Sequence, residues 1–367
     1  MATFDVVFEG GGAKGSAFVG ALQILKERGH SLRRLVGTSA GAITAAMVAA
    51  GYTPEELLEA VNEKQPNGKP RFSAFMDRPS SSSFTDAQKE NSEFAKALEA
   101  IPIPLPRKTL LNLLLDNAIY AHLFSFEECG GFFCGLNFLA WLTEKFQAKG
   151  MAADETLASF YAKKGVDLSV VASDTHDMEM LVLNHRTAPD CPLVWAVRMS
   201  MSIPFIWQEV VWKEEWGLYC GRSKAGNTVV DGGVLSNFPI RLIAERVPEI
   251  MGDTDPAGAL NLGLLLDETR AVPGLPASES HPPFEHLRTV QRVSRLMDTM
   301  MGAQDNEEMR EHAGEICRLP VEGYGTTEFN MSDERLAALV AGGRTAMMEH
   351  LANRRDLNAS SARAAQP

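Results

Sequence analysis

Gly10-Gly11-Gly12-Ala13-Lys14-Gly15 follows the strand-like run Phe4-Asp5-Val6-Val7-Phe8-Glu9, and Gly37-Thr38-Ser39-Ala40-Gly41 follows Leu35-Val36. Each stretch reads as an apolar strand, a sharp glycine turn and the start of a helix. That arrangement sets the Ser39 hydroxyl at a helix N-terminus, where peptide N–H groups and the helix dipole favour negative charge. The neighbouring glycine loop has no Cβ atoms in the way, so it can aim further N–H groups at the same point. A nucleophile and an oxyanion hole together point to acyl transfer.

Working outward, residues 4–9, 32–36, 168–173, 178–184, 227–231 and 260–267 read as strands. Several are near-continuous apolar runs, which suit a sheet covered on both faces. Phe18, Leu22 and Leu25 form one helical stripe, and Ile43, Met47 and Ala50 another. Thr53-Pro54-Glu55-Glu56 is a helix start, with a Thr cap, Pro at the first position and acids in the first turn. The alternation predicts an α/β fold, three layers around a largely parallel sheet. Residues 66–135 break the rhythm with a serine run at 80–83, alternating prolines at 101–106 and an apolar cluster from Leu110 to Phe133, and read as an insertion or cap. Residues 271–283 read as a surface loop. Long helices are expected from about Pro283 to Gly302 and from Ser332 to about Arg354, with a frayed tail from Asn358.

Composition narrows the function. The 367 residues are 45% hydrophobic and 22% charged, values of an ordinary folded protein. A net charge of -12 argues against nucleic acid and against electrostatic docking on anionic lipid, so any membrane contact rests on apolar burial. Five cysteines without CxxC spacing fit a reducing compartment. The first nine residues lack a secretory-signal pattern, and the longest apolar run, about a dozen residues, is too short to span a bilayer. Cytoplasmic is the default location, with signal-less secretion left open. The sequence sets no oligomeric state.

Rival readings of the motifs carry different weights. Residues 10–15 also fit G-x-G-x-x-G, but the second strand ends Leu35-Val36-Gly37 without the acid that would hold a ribose, and no Gly-Lys-Ser/Thr supports a P-loop. A Ser-His-Asp triad would need a histidine in a strand-end context, and Ser39 comes after only two strands. The alternative base is Asp231, at the end of the apolar strand Thr228-Val229-Val230 and followed by Gly232-Gly233. Its bland reading is a turn aspartate capping the helix that Asn237 and Pro239 begin. The cluster Leu110–Phe133 is either a helical layer packed on the core or a lid or acyl channel. Asp174-Thr175-His176-Asp177 reads as a hairpin turn, and Asp253, Asp255, Asp267 and Glu268 lack an EF-hand pattern. No metal and no cofactor is expected.

The trio Gly10–Gly15, Gly37–Gly41 and Asp231-Gly232-Gly233, in this order, resembles the patatin-like phospholipase family, and Val197-Arg198-Met199-Ser200-Met201-Ser202-Ile203-Pro204-Phe205 is similar to that family's helix and Pro turn. The resemblance is close over 4–50 and 165–245, loose over 284–350, and absent over 66–135. It implies a three-layer α/β/α patatin-like fold with an inserted helical cap, built as one domain over 1–355 with helices over 284–354 and a disordered tail over 356–367. It assigns Ser39 as nucleophile and Asp231 as proton acceptor. Gly10, Gly11, Gly12, Lys14 and Ala40 fall to the oxyanion hole, and Gly15, Gly37, Gly41, Gly232 and Gly233 complete the motifs. The implied activity is hydrolysis of a lipid ester through an acyl-enzyme, with transient contact to a membrane surface. The rival is a non-catalytic or partner-activated lipid-binding protein on the same fold; a nucleotide-binding oxidoreductase is more distant.

Overall fold

The computed structural model describes residues 1–99, 106–245, 247–252, 258–275, 299, 306–326, 328–354 and 357. Twelve strands occur among them: β1 (Thr3–Phe8), β2 (Ser31–Thr38), β3 (Gly131–Phe133), β4 (Asp167–Asp174), β5 (Glu179–Leu183), β6 (Phe205–Trp207), β7 (Val210–Val211), β8 (Leu218–Tyr219), β9 (Arg222–Ser223), β10 (Thr228–Asp231), β11 (Leu260–Ala271) and β12 (Ile316–Glu322). The main sheet runs β12-β11-β1-β2-β4-β10-β7, with β5 also on β4. From β12 to β4 every pairing is parallel; β5, β10 and β7 join antiparallel. All six strands expected from sequence are present. The parallel part is buried on both faces because side chains alternate between two apolar layers. Val6, Phe8, Leu35, Val170 and Leu264 face the larger one, and Val7, Val36, Val171, Val182 and Leu265 the smaller.

The larger layer is filled by α1 (Ala17–Glu27), α2 (Ala40–Ala50), α3 (Pro54–Val61) and the last helix, Asp333–Asn353. The expected cap on α3 is complete: the Thr53 hydroxyl accepts the Glu56 N–H and the Glu56 carboxylate accepts the Thr53 N–H. The last helix crosses α1 at van der Waals contact between small residues. A Cβ on Gly20 would lie 2.0 Å from the Val340 carbonyl oxygen, and one on Gly343 would lie 2.2 Å from that of Ala17. Backbones this close leave no room for a side chain.

The inserted region contains α4 (Asp86–Asn91), α5 (Glu93–Glu99), α6 (Arg107–Leu115) and α7 (Ala118–Cys129), then β3 and α8 (Leu136–Ala148). It has an apolar centre of its own, made by Phe84, Leu111, Leu115 and Phe124. Part of the expected Leu110–Phe133 cluster is therefore packed, while Leu113, Ile119 and Leu123 stand exposed. Beyond it come α9 (Leu157–Lys164) and α10 (Leu193–Ser200).

Asp174–Asp177 forms the expected turn between β4 and β5, with Asp174 Oδ1 accepting the N–H groups of His176 and Asp177. Asp174, Asp177 and Glu179 converge there, but the buried Lys224 ammonium lies among them, 3.0 Å from Asp174 and 2.6 Å from Asp177, and also pairs with Glu179. Its charge occupies the place a cation would take. Among the described residues no helix is long and apolar enough to cross a membrane. All five cysteines are free thiols. The expected helix over 283–302, most of the 271–283 loop, Asp253, Asp255 and the tail lie outside the described residues.

Candidate active site

Ser39 sits between β2 and α2 with φ 52° and ψ −120°. A non-glycine residue in that region is strained, and the surrounding chain must over-determine it. Here the small neighbours do so. A Cβ on Gly41 would fall 2.2 Å from the Phe8 carbonyl oxygen, so the first turn of α2 lies directly against the end of β1. Gly37 faces the Gly41 backbone with as little room, 2.3 Å, and Gly15 faces the Ala40 side chain more loosely, at 3.0 Å. Ser39 is thereby held between the C-terminal end of the central strand β2 and the start of α2.

Asp231 ends β10 and is 2% exposed. Its Oδ1 accepts the Gly233 N–H at 2.8 Å. Its Oδ2 is buried and has no hydrogen-bond partner within 3.5 Å among the described residues. Burial drives the carboxyl up to about 7, opposed by the Gly233 N–H and by the Ser39 side chain beside it. A buried oxygen with spare capacity next to a hydroxyl is the constellation expected of a proton acceptor. Gly232 lies on the Val171 carbonyl of β4, which carries the acid's strand.

The glycine loop is held at both ends. The Gly10 N–H donates to the Asn237 carbonyl at 3.0 Å, the Asn237 side chain donates back to the Gly10 carbonyl, and the Ala13 N–H donates to the Thr326 carbonyl. Gly12 has φ +55°, and a Cβ there would meet the Thr326 oxygen at 2.0 Å. Two of the residues assigned to the oxyanion hole from sequence have engaged amides. The Gly10 amide is already committed, and so is that of Lys14, which donates to the Gly11 carbonyl while its ammonium pairs with Glu268. Amides of Gly11, Gly12 and Ala40 have no acceptor among the described residues. Gly11 and Gly12 border the polar cleft beside Ser39, and Ala40 opens α2 directly after it.

Two cavities meet at Ser39. One has about 790 Å³ of empty space, mouth included, and its lining is almost wholly apolar; Ile43, Met47, Ala60, Phe75, Trp141 and Trp207 form much of it. The other is more polar and is bordered by Gly10–Gly12, Lys14, Asp231, Asn237, Glu9 and Glu268. None of residues 107–133 lines the apolar cavity. Its walls come from α1, α2, α3 and α8 together with Phe72, Phe75, Ile203, Trp207 and Phe329. Asn237 and Glu9, whose carboxylate accepts the Leu266 N–H and the Asn237 side-chain N–H, were missed from sequence as loop supports. Their only signal was position, directly after one motif and before another.

Comparison with known proteins gives the family. The patatin-like phospholipase profile matches residues 6–244, so the chain belongs to that family and its class is that of a lipid hydrolase. The chain is 30% identical over 349 residues to the uncharacterized protein YqhO of Bacillus subtilis (strain 168), covering 93% of this chain and 95% of that one. It is 23% identical over 235 residues to the probable lipid hydrolase 463L of Invertebrate iridescent virus 6, covering 64% and 61%. Among solved structures it is similar to VipD from Legionella pneumophila (TM-score 0.47, 18% identity, 96% of this chain and 67% of that one). It is also similar to the type III effector ExoU (TM-score 0.42, 19% identity, 96% and 53%).

Proposed function

We propose that the protein cleaves the carboxylic ester of a phospholipid or lysophospholipid through Ser39, Asp231 and an acyl-enzyme. Ser39 Oγ attacks the carbonyl carbon while Asp231 Oδ2 takes the hydroxyl proton. The negative charge that forms on the carbonyl oxygen is met by the N–H groups of Gly11, Gly12 and Ala40. Asp231 returns the proton to the departing alcohol. A water then gives its proton to Asp231 and attacks the acyl carbon, and Ser39 leaves with that proton restored. The carboxylate needs no histidine because its pKa, raised to about 7 by burial, makes it a far better base than an ordinary aspartate.

One observation carries the reading: Ser39 stands at the junction of an apolar cavity suited to an acyl chain and a polar cleft that holds Asp231. Five free thiols fit work in a reducing compartment. The test is release of fatty acid from phosphatidylcholine and lysophosphatidylcholine vesicles, with products identified by mass. Wild type should release acid, and Ser39→Ala and Asp231→Asn should each lose about a thousandfold or more. Substantial turnover by folded Ser39→Ala would remove the serine from the mechanism.

A further inference from the structure

The end of α10 touches both members of the proposed pair. The Ser39 N–H donates to Ser200 Oγ at 2.9 Å, and the Ser200 hydroxyl donates to the Val171 carbonyl of β4 at 2.5 Å. Two residues on, the Ser202 carbonyl accepts the Asp231 N–H at 2.9 Å. Ser202 is itself locked: its hydroxyl donates to the Arg198 carbonyl, and the buried Arg198 guanidinium bonds that hydroxyl and the carbonyls of Cys134 and Gln208. Ser200, Ser202 and Arg198 are all essentially buried. Neither serine is needed for any chemical step above.

We propose that Ser200 is a positioning residue whose hydroxyl holds the Ser39 elbow in register with the strand that carries Asp231. The argument starts from the strained φ of Ser39. Its N–H is buried against Ser200, where an amide without an acceptor is costly and the elbow would turn to find one. Ser200 supplies that acceptor and passes the constraint on to Val171. The same Val171 carbonyl is where Gly232 rests, beside Asp231, which pairs with Ala172 on β4. A single β4 peptide therefore references the serine through Ser200 and the acid through Gly232. Residues separated by nearly two hundred positions are aligned by one side chain. This inference rests on the proposed Ser39–Asp231 reading.

The test compares Ser200→Ala and Ser200→Thr with wild type on soluble 4-nitrophenyl butyrate, together with the rate at which a fluorophosphonate labels Ser39. Ser200→Ala should lower kcat about 10- to 100-fold with KM within about twofold, and labelling should slow by the same factor. The pH midpoint of activity should stay near that of wild type, since Asp231 keeps its surroundings. Ser200→Thr, which retains the hydroxyl, should regain most of the rate. If Ser200→Ala does not fold, Ser200→Cys, a weaker acceptor of similar size, should show a smaller loss in the same direction. Unchanged kcat and labelling in folded Ser200→Ala would overturn the inference, as would a loss that comes with a shifted pH midpoint and no recovery in Ser200→Thr. Absence of both hydrolysis and Ser39 labelling in wild type would instead overturn the proposed function.

Discussion

Asp231 is a group whose usefulness and whose cost have one cause. Removing it from water lifts its pKa from 3.8 to about 7. A carboxyl with its folded pKa raised favours the folded state while protonated and loses that advantage as pH rises through the folded value. Three pH units correspond to about 4 kcal/mol between pH 4 and pH 8. Asp231→Asn, neutral at every pH, should therefore melt above wild type at pH 8.5, with the gap closing towards pH 5. Matching melting curves at pH 5 and 8.5 by calorimetry test this; equal midpoints throughout would mean the carboxyl titrates normally. Catalysis should run in the opposite sense. As proton acceptor the group must be ionised, so kcat/KM should rise about tenfold per unit below pH 7 and level off above it. A pH–rate profile on a soluble ester would show a midpoint near 4 if burial did not raise the acid. Both residues of the proposed pair stand out as candidates in the sequence, because Ser39 follows and Asp231 ends an apolar strand and small residues come after each. The spent Gly10 amide was not legible: its acceptor, the Asn237 carbonyl, lies far along the chain and bonds through backbone, which no side-chain pattern reveals.

At the scale of elements, α1, α2, α3 and α8 leave a cavity between them rather than closing on each other. Ala60 on α3 lines it, with little side chain to fill the space. Ala60→Phe should shorten the acyl chains accepted, so turnover of a 16-carbon ester falls at least about tenfold more than turnover of a butyrate ester. Competition between the two esters in one vessel checks this, and an equal fall for both would place the chain elsewhere. The helices themselves were readable from capping and periodicity, as Thr53 and the Phe18–Leu22–Leu25 stripe show. Their cavity was not, because its lining is assembled from positions that look like ordinary core on each helix alone. The strand β12 escaped notice for a different reason. It carries Arg318, Pro320 and Glu322, tolerated because it lies at the sheet edge, where one side needs no ladder partner.

For the whole molecule, the stretch matched by the family profile ends before the sheet is complete. β11 lies against β1, and β12 against β11, so residues beyond 244 cover the strand that feeds the glycine loop. The last helix adds the close crossing with α1. We propose on this basis that residues 1–355 form one cooperative domain. A fragment ending at residue 245 should lack a cooperative melting transition and should not react with a fluorophosphonate, whereas 1–355 should do both like the full chain. A folded, reactive short fragment would show that the later elements are an appendage. Strand order carries a further implication for biosynthesis. A ribosome delivers β1, the glycine loop and Ser39 long before β11 and β12 emerge to flank them. Until then β1 is an open edge, and the Thr326 carbonyl that steadies Ala13 has not yet been made. The glycine loop of the nascent polypeptide therefore does not have both of its supports until residue 326 has emerged.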